Sequence, residues 1–533
     1  MNTQASARTS QNPAIERAAM LSPVHIESAV LLLICIALAA GAFLSFPLYD
    51  DGWLALVVRE SGRHSLAQYM GDRPVFGLLL ERLASFGVAN RIVFVFLNAI
   101  LWLSFSIESG MLFRKLFPEF KNYSILPVCL TLAPIVLQTQ LSTLLVALPA
   151  NLATILGYAA LLLLLHQHQQ REDTLLRPLL MCIAAGLAAA GVLLSEYGVA
   201  TNLVGCVILI GVALTSSTRT ASRRLFLSAG GLFALTVTAY LLFAETADFS
   251  GRSDVAPAHL VSRGAAKWIR VPFDVIGGAW HALIGAYATA LGSITLEWSS
   301  KSTIIGILFG LATAILLCLS IARRQVGTPA ESSPGRLHWR LAVLLPAILV
   351  GLLPFSVMGR AATLLEFGSR FRIPIMPVAA SATVALALCM IQAPLRWVPV
   401  AIFGLIIGNA SWAFTYGAIQ QSRAIANVES PLKPYVAQTA GYTVAVVPFN
   451  RFETELTAKV ASTWPLELEK KLWVIGPDAA LVQFGSRSTC RPNAALQVQV
   501  RGFSRVGKLG EVLWVDAPSG KAASIESYCQ AAN

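Results

Sequence analysis

Long runs of apolar residues with almost no charge recur along most of this chain. They lie near 28–46, 92–112, 125–141, 144–165, 179–195, 198–215, 225–244, 302–321, 341–358, 373–391 and 398–417. A helix needs about 20 apolar residues to cross the hydrocarbon of a bilayer. In lipid, a spanning segment must satisfy its own backbone polar groups, which leaves the helix or the closed barrel. These runs are unbroken rather than alternating, so an outer-membrane barrel is excluded. Composition agrees: 56% of the 533 residues are hydrophobic and 13% are charged. Soluble domains carry about 25% charged residues, so a soluble cytosolic enzyme is excluded. The number of runs excludes a single-span receptor. The expected fold is a polytopic α-helical membrane protein of about eleven transmembrane helices.

Basic residues in short loops set the orientation of such a chain. Arg114, Lys115, Lys121, Arg171, Arg177, Arg219, Arg223, Arg224, Arg323, Arg324, Arg336, Arg340 and Arg396 all fall on one side of the bundle. The alternate hairpins, near 141–144 and 195–198, carry no Lys or Arg. The N-terminus is therefore expected in the cytoplasm and the C-terminus on the opposite side. Arg8 and Arg17 before the first run, and Ala40-Gly41-Ala42 near its end, resemble a signal peptide. A run of about 19 residues instead favours a retained helix. The stretch Val271 to Trp298 is moderately apolar. A crossing there would put the arginines at 323–340 outside, so it reads as interfacial or re-entrant.

The resulting organisation is a cytoplasmic segment 1–24, a transmembrane domain 25–417 with external loops 47–90, 245–301 and 359–372, and a tail 418–533. In the tail the apolar runs shrink to strand length, as in Tyr442–Pro448, Ala495–Val500 and Glu511–Val515. That pattern predicts a small extracytoplasmic domain, α/β or mostly β. Cys490 and Cys529 lie in it, on an oxidising side, and are disulfide candidates. The other six cysteines sit in apolar runs and read as packing residues. The net charge of +12 points to topology and lipid headgroups before nucleic acid, and no nucleic-acid partner is expected.

The external loops carry the residues with chemistry. The first reads Phe46-Pro47-Leu48-Tyr49-Asp50-Asp51-Gly52-Trp53, and Gly71-Asp72-Arg73-Pro74 follows. Asp50 or Asp51 suits a general base at the membrane boundary; the pair equally suits helix capping. The third loop holds Arg360, Arg370 and Arg372, an external arginine excess against the positive-inside trend. Guanidinium groups bind phosphate in a forked geometry, and they also snorkel to ordinary headgroups. Glu196 stands in a tight external hairpin, either as a helix-end group in water or as part of a central site. Glu108 falls near the cytoplasmic end of its run, where water is within reach. The runs otherwise read as free of acids and bases at mid-depth. There is no Walker A loop, HExxH, CxxC or haem-attachment motif. An ATP-driven pump is disfavoured accordingly.

Taken together, the chain resembles the GT-C superfamily of membrane glycosyltransferases. The resemblance lies in the multi-span bundle, the Asp50-Asp51 pair in Tyr-Asp-Asp-Gly-Trp, Arg73-Pro74, the aromatic and basic Ser369-Arg370-Phe371-Arg372-Ile-Pro, and the external tail. The long signatures of oligosaccharyltransferases are absent. The resemblance implies a polyprenyl-phosphate sugar as donor and a cell-envelope glycan or glycolipid as acceptor. Asp50 or Asp51 would be the base of an inverting displacement. Arg370 and Arg372, with Arg360 or Arg73, would bind the phosphate, and Glu196 would belong to the same site. No cofactor is required by it; the aspartate pair permits a divalent metal, Mg or Mn. The implied location is the bacterial inner membrane, with membrane lipids around the bundle and the tail in the periplasm. Rival readings are a transporter or flippase of lipid-linked saccharides and a non-catalytic assembly protein.

Overall fold

The computed structural model describes residues 22–44, 73–84, 91–133, 144–169, 176–216, 218–247, 265–288, 290, 301–325, 334–362, 367–438 and the strands of the tail. Asp50, Asp51, Cys490 and Cys529 lie outside the described residues. Thirteen α-helices are described. They are α1 (Pro23–Leu44), α2 (Pro74–Ala84), α3 (Arg91–Leu116), α4 (Ile125–Leu132), α5 (Leu144–Gln169), α6 (Leu176–Leu194) and α7 (Glu196–Leu214). The rest are α8 (Arg219–Thr246), α9 (Ala265–Trp280), α10 (Lys301–Gln325), α11 (Pro334–Val357), α12 (Met376–Met390) and α13 (Trp397–Gln438). Among the described residues, ten helices are long and apolar enough to cross a membrane, by length and composition. Leu32, Ile36, Leu227 and Leu241 are among the side chains the bundle leaves outward, as lipid-facing helices require.

Contacts fix which helix ends lie together. Glu27 at the start of α1 accepts from Arg324 Nη2 at 2.5 Å and from Ser320 Oγ at 2.9 Å. Glu119, in the 3₁₀ turn after α3, accepts from Arg340 Nη1 at 3.0 Å. Asn122 donates to the carbonyl of Arg324, and Arg396 lies over the Phe120 ring. The loops expected to share a basic side therefore gather at one end of the bundle. The hairpins before α7 and after α11 lie at the other end, joined by Arg360 and Glu196.

One expected crossing differs. The run 125–141 was expected to span, but its described helix, Ile125–Leu132, has eight residues, about 12 Å of rise. It starts at the basic end and reaches the level of Trp102, whose indole N–H donates to the Leu132 carbonyl at 3.0 Å. Helix α5 then begins at the opposite end, where Asn151 meets Asn98. The chain thus passes from one end to the other between 125 and 144 without a described helix of spanning length. Pro127 and Pro134 in this run work against a longer regular helix, since proline removes a backbone donor.

The stretch 247–300 leaves and returns at one end. Helices α7 and α8 are antiparallel, with Asn202 donating to Thr236 Oγ1 and Cys206 to the Ala229 carbonyl. Helices α10 and α13 are antiparallel too: Trp412 donates to the Ser302 carbonyl and Cys318 to the Trp397 carbonyl. Thr246 and Lys301 consequently share the Glu196 end. Between them α9 packs on α11 and continues as a π turn, His281–Gly285, against α12. Ala290 accepts from Asn409 inside the bundle. The described residues 265–288 and 290 thus pack on α11, α12 and α13, in keeping with the expected interfacial or re-entrant segment.

Glycines permit the closest contacts. Gly310 packs on Gly408 and Leu405, while Gly306 packs on Asn409 and Trp412. The described cysteines Cys35, Cys129, Cys182, Cys206, Cys318 and Cys389 are all free. In the tail, β1 (Val444–Val446) pairs in parallel with β2 (Val474–Ile475) and with β5 (Val512–Asp516). Strand β6 (Lys521–Ser524) is antiparallel to β5, and β3 (Ala495–Val500) forms a hairpin with β4 (Phe503–Lys508). Helix α13 runs on past residue 417 to Gln438.

Candidate anion-binding site

Three local devices build the site at the Glu196 end. The first is the α6–α7 hairpin. Ser195 caps α7, its hydroxyl accepting from the Tyr197 N–H, as serine does at a helix start. Gly198 lets the two helices touch: a Cβ there would meet the Gly191 carbonyl at 2.2 Å. The second device is the end of α11. Gly359 takes φ 74°, open to glycine without the Cβ clash other residues incur. Arg360 N–H then donates back to the Phe355 carbonyl and Gly359 N–H to Ser356. This double bond closes the helix and turns Arg360 toward α7. The third device is the 3₁₀ turn Phe367–Ile375, pinned from below where the Tyr158 hydroxyl donates to the Pro374 carbonyl at 2.6 Å.

These devices bring four of the expected residues together. Glu196 Oε1 accepts from Arg73 Nη2 at 2.5 Å and from Arg360 Nη1 at 3.1 Å. Its Oε2 accepts from Ser195 Oγ at 3.1 Å. Arg73 immediately precedes α2, so the ion pair ties the first external loop to α7 and α11. Arg360 and Arg370 both lie over the Phe371 ring, at 5.8 and 5.0 Å. Phe371 in turn packs on Phe355 at 5.1 Å and stacks on Tyr197 at 6.4 Å. Arg372, two residues on, turns the other way. It is fully buried and lies near His281 and Tyr287 of the re-entrant segment.

Among the described residues gathered here, three guanidinium groups, those of Arg73, Arg360 and Arg370, stand with one carboxylate, that of Glu196. Burial beside cations strengthens attraction for an anion. The N-terminus of α7 adds positive potential at the same place. Burial, then Arg372, pushes the His281 imidazole below its ordinary range. Burial pushes the Tyr287 phenol up to about 12, against the smaller lowering effects of Thr383 and Arg372.

The sequence reading named every one of these arginines and Glu196. It did not foresee that Glu196 holds Arg73 and Arg360, or that Tyr197, Phe355 and Tyr158 shape the site. Glu108 needs correction: it is buried, and its Oε2 has no hydrogen-bond partner among the described residues. It shares a face of α3 with Phe105, which packs on Tyr158, so it points into the bundle and not to water. No three His, Cys, Asp or Glu side chains gather as a metal site among the described residues. The Asp50–Asp51 pair, to which the metal expectation attaches, is outside them.

No family model and no curated protein matches the sequence. Solved structures resemble it in fold only. The oligosaccharyltransferase of Archaeoglobus fulgidus, in complex with zinc and sulfate, is 13% identical over 87% of this chain, with a TM-score of 0.40. The same archaeal enzyme, AglB, with an inhibitory peptide and a dolichol-phosphate, is 12% identical with a TM-score of 0.37. This chain spans 64% and 66% of the length of those two chains. ArnT from Cupriavidus metallidurans, bound to undecaprenyl phosphate, is 14% identical over 86% of both chains, with a TM-score of 0.38. Similarity at this level transfers no residue role, so the roles below rest on this chain's own geometry.

Proposed function

We propose that this chain is a membrane glycosyltransferase of GT-C type. It moves a sugar from a polyprenyl-phosphate donor to a cell-envelope glycan or lipid outside the bacterial inner membrane. One observation carries the reading. Arg73, Arg360 and Arg370 gather around Glu196 and Phe371 at the end where the Asp50–Asp51 loop leaves α1 and returns to α2. The two helix ends that flank the loop bearing Asp50 and Asp51 lie at this end of the apolar bundle, where a lipid-linked phosphate and a water-borne acceptor would meet.

The chemistry is a single displacement. Asp50 or Asp51 takes the proton of an acceptor hydroxyl. The oxygen attacks the anomeric carbon, and the bond from that carbon to the phosphate oxygen breaks. The donor is a phosphodiester with one negative charge, and the departing phosphomonoester carries two. Arg370, with Arg73 and Arg360 beside it, offsets the added charge as it develops, which is how fixed cations lower such a barrier. Glu196 holds Arg73 and Arg360 in place against their mutual repulsion. The donor is already activated, so no nucleotide is consumed. The Asp50–Asp51 pair supplies carboxylates that Mg or Mn favours, and a bound ion would add positive charge beside the phosphate.

The test compares cell-envelope glycans and glycolipids by mass spectrometry. A null strain is complemented with wild type or with Asp50→Asn plus Asp51→Asn at matched protein levels. Loss of one sugar-sized mass increment in the variant is expected. An unchanged profile would remove the aspartates from catalysis and favour a transporter or assembly role.

A further inference from the structure

The Tyr197 side chain is 4% exposed, and its hydroxyl is buried with no hydrogen-bond partner among the described residues. Burying a hydroxyl without a partner is costly. The ring itself is well held, packed on Phe355 at 5.0 Å and stacked on Phe371. Phenylalanine would fill that space as well, so packing does not account for the oxygen. The surroundings do point to a use. The charged groups that act on this phenol are Arg370, Glu196 and Arg73. The residue also sits in the first turn of α7, a helix of 19 residues whose N-terminus attracts anions. Glu196 accepts from its arginines and from Ser195, and the phenol donates to none of the described oxygens. A buried donor O–H with no acceptor among the described residues, on a ring stacked against the Phe371 that Arg370 covers and at a helix N-terminus, suits an oxygen brought by a ligand.

We infer that Tyr197 is a substrate-binding residue whose phenolic O–H donates a hydrogen bond to an oxygen of the donor's phosphate group, beside Arg370. The inference rests on the polyprenyl-phosphate reading above and adds to it a neutral donor. Arginines attract any anion. An O–H fixed by ring stacking selects for the position of one oxygen, and so orients the phosphate relative to the cations.

The experiment uses the full chain in detergent micelles and measures binding of undecaprenyl phosphate, with undecaprenol as the uncharged control. The variant is Tyr197→Phe, which keeps the stacked ring and removes one oxygen. Affinity for undecaprenyl phosphate is expected to fall about tenfold, the size of one hydrogen bond to a charged group. Binding of undecaprenol should stay as in wild type, and the unfolding temperature should hold or rise. Equal undecaprenyl phosphate affinity in Y197F and wild type would overturn the inference while leaving the donor reading intact. Failure of Y197F to fold would also overturn it, because that would mean the hydroxyl serves the fold through a protein partner and not a ligand. If wild type binds undecaprenyl phosphate no better than undecaprenol, the donor reading falls and the inference falls with it.

Discussion

The Tyr158 hydroxyl donates to the Pro374 carbonyl at 2.6 Å, linking the middle of α5 to the turn that carries Arg370 and Arg372. The two residues are 216 positions apart and both ends of the bond are buried. Pro374 has no N–H of its own, so its neighbourhood has one fewer backbone anchor, and the phenol supplies one. Tyr158→Phe should cost about 2 kcal/mol of stability, because a buried carbonyl loses its donor. Undecaprenyl phosphate affinity should fall as well, since the turn behind Arg372 loosens. Thermal unfolding and lipid binding, measured on the same preparation, check both. Stability lost with affinity retained would show that the bond holds the core alone.

Glu196 is the single described carboxylate against Arg73 and Arg360, whose side chains are 15% and 13% exposed. Removing its charge takes away the oxygen that both largely buried guanidiniums share. Glu196→Gln should therefore cost about 3 kcal/mol and lower transfer activity by displacing Arg73 and the first external loop. Arg73→Ala combined with Glu196→Gln should cost less than the sum of the two single changes, as coupled partners do. A double-mutant cycle on unfolding free energy measures the coupling. Strict additivity would mean that the pair makes no energetic contribution.

These pairings mark where the sequence stops being readable. Hydropathy alone placed most of the helices, since ten runs became helices long enough to span, including α1 and α10. Loop charge correctly grouped Lys121, Arg324, Arg340 and Arg396 near one end, because short loops cannot hide charge in lipid. What hydropathy lacks is direction around the helix axis. Helix α3 is apolar on nearly all sides, so nothing local says that Glu108 faces Tyr158 and not water. The run 125–141 is apolar enough to span but carries prolines, and hydropathy averages over them. Arg73 and Glu196 are 123 residues apart, and no local pattern links an arginine before one helix to a glutamate that begins another. The arginines were visible by type, whereas the partner that organises two of them required the fold.

Gly198 sets a limit that backbone cannot relax. An added Cβ would lie 2.2 Å from the carbonyl of Gly191 and 2.5 Å from the Val192 nitrogen. Both are main-chain atoms of the facing helix, so rotamer changes cannot relieve the clash. Gly198→Ala should destabilise the protein by about 3 kcal/mol, at the upper end of ordinary overpacking. It should also separate Glu196 from Arg73. Gly186→Ala is the control, because nothing lies within 4 Å of a Cβ there. Unfolding temperatures of the two variants should differ sharply. Similar values would show that α6 and α7 are not packed this closely.

His281 offers a pH readout of the buried Arg372. Burial, and then Arg372, lower its pKa from the ordinary 6.5, so the fold favours the neutral ring. Below that ordinary value the unfolded chain binds a proton that the folded chain resists. Stability from this group is therefore complete above about pH 6.5 and is lost as pH falls through the folded value. His281→Asn removes the titration and keeps a polar side chain. Unfolding temperature measured from pH 8 down to pH 5 should drop more in wild type than in H281N, with the difference opening below the ordinary imidazole value. Arg372→Met should shrink that difference, because one cause of the lowered pKa is gone while burial remains. Parallel pH profiles for wild type and H281N would mean that the ring titrates as it does in water, away from Arg372.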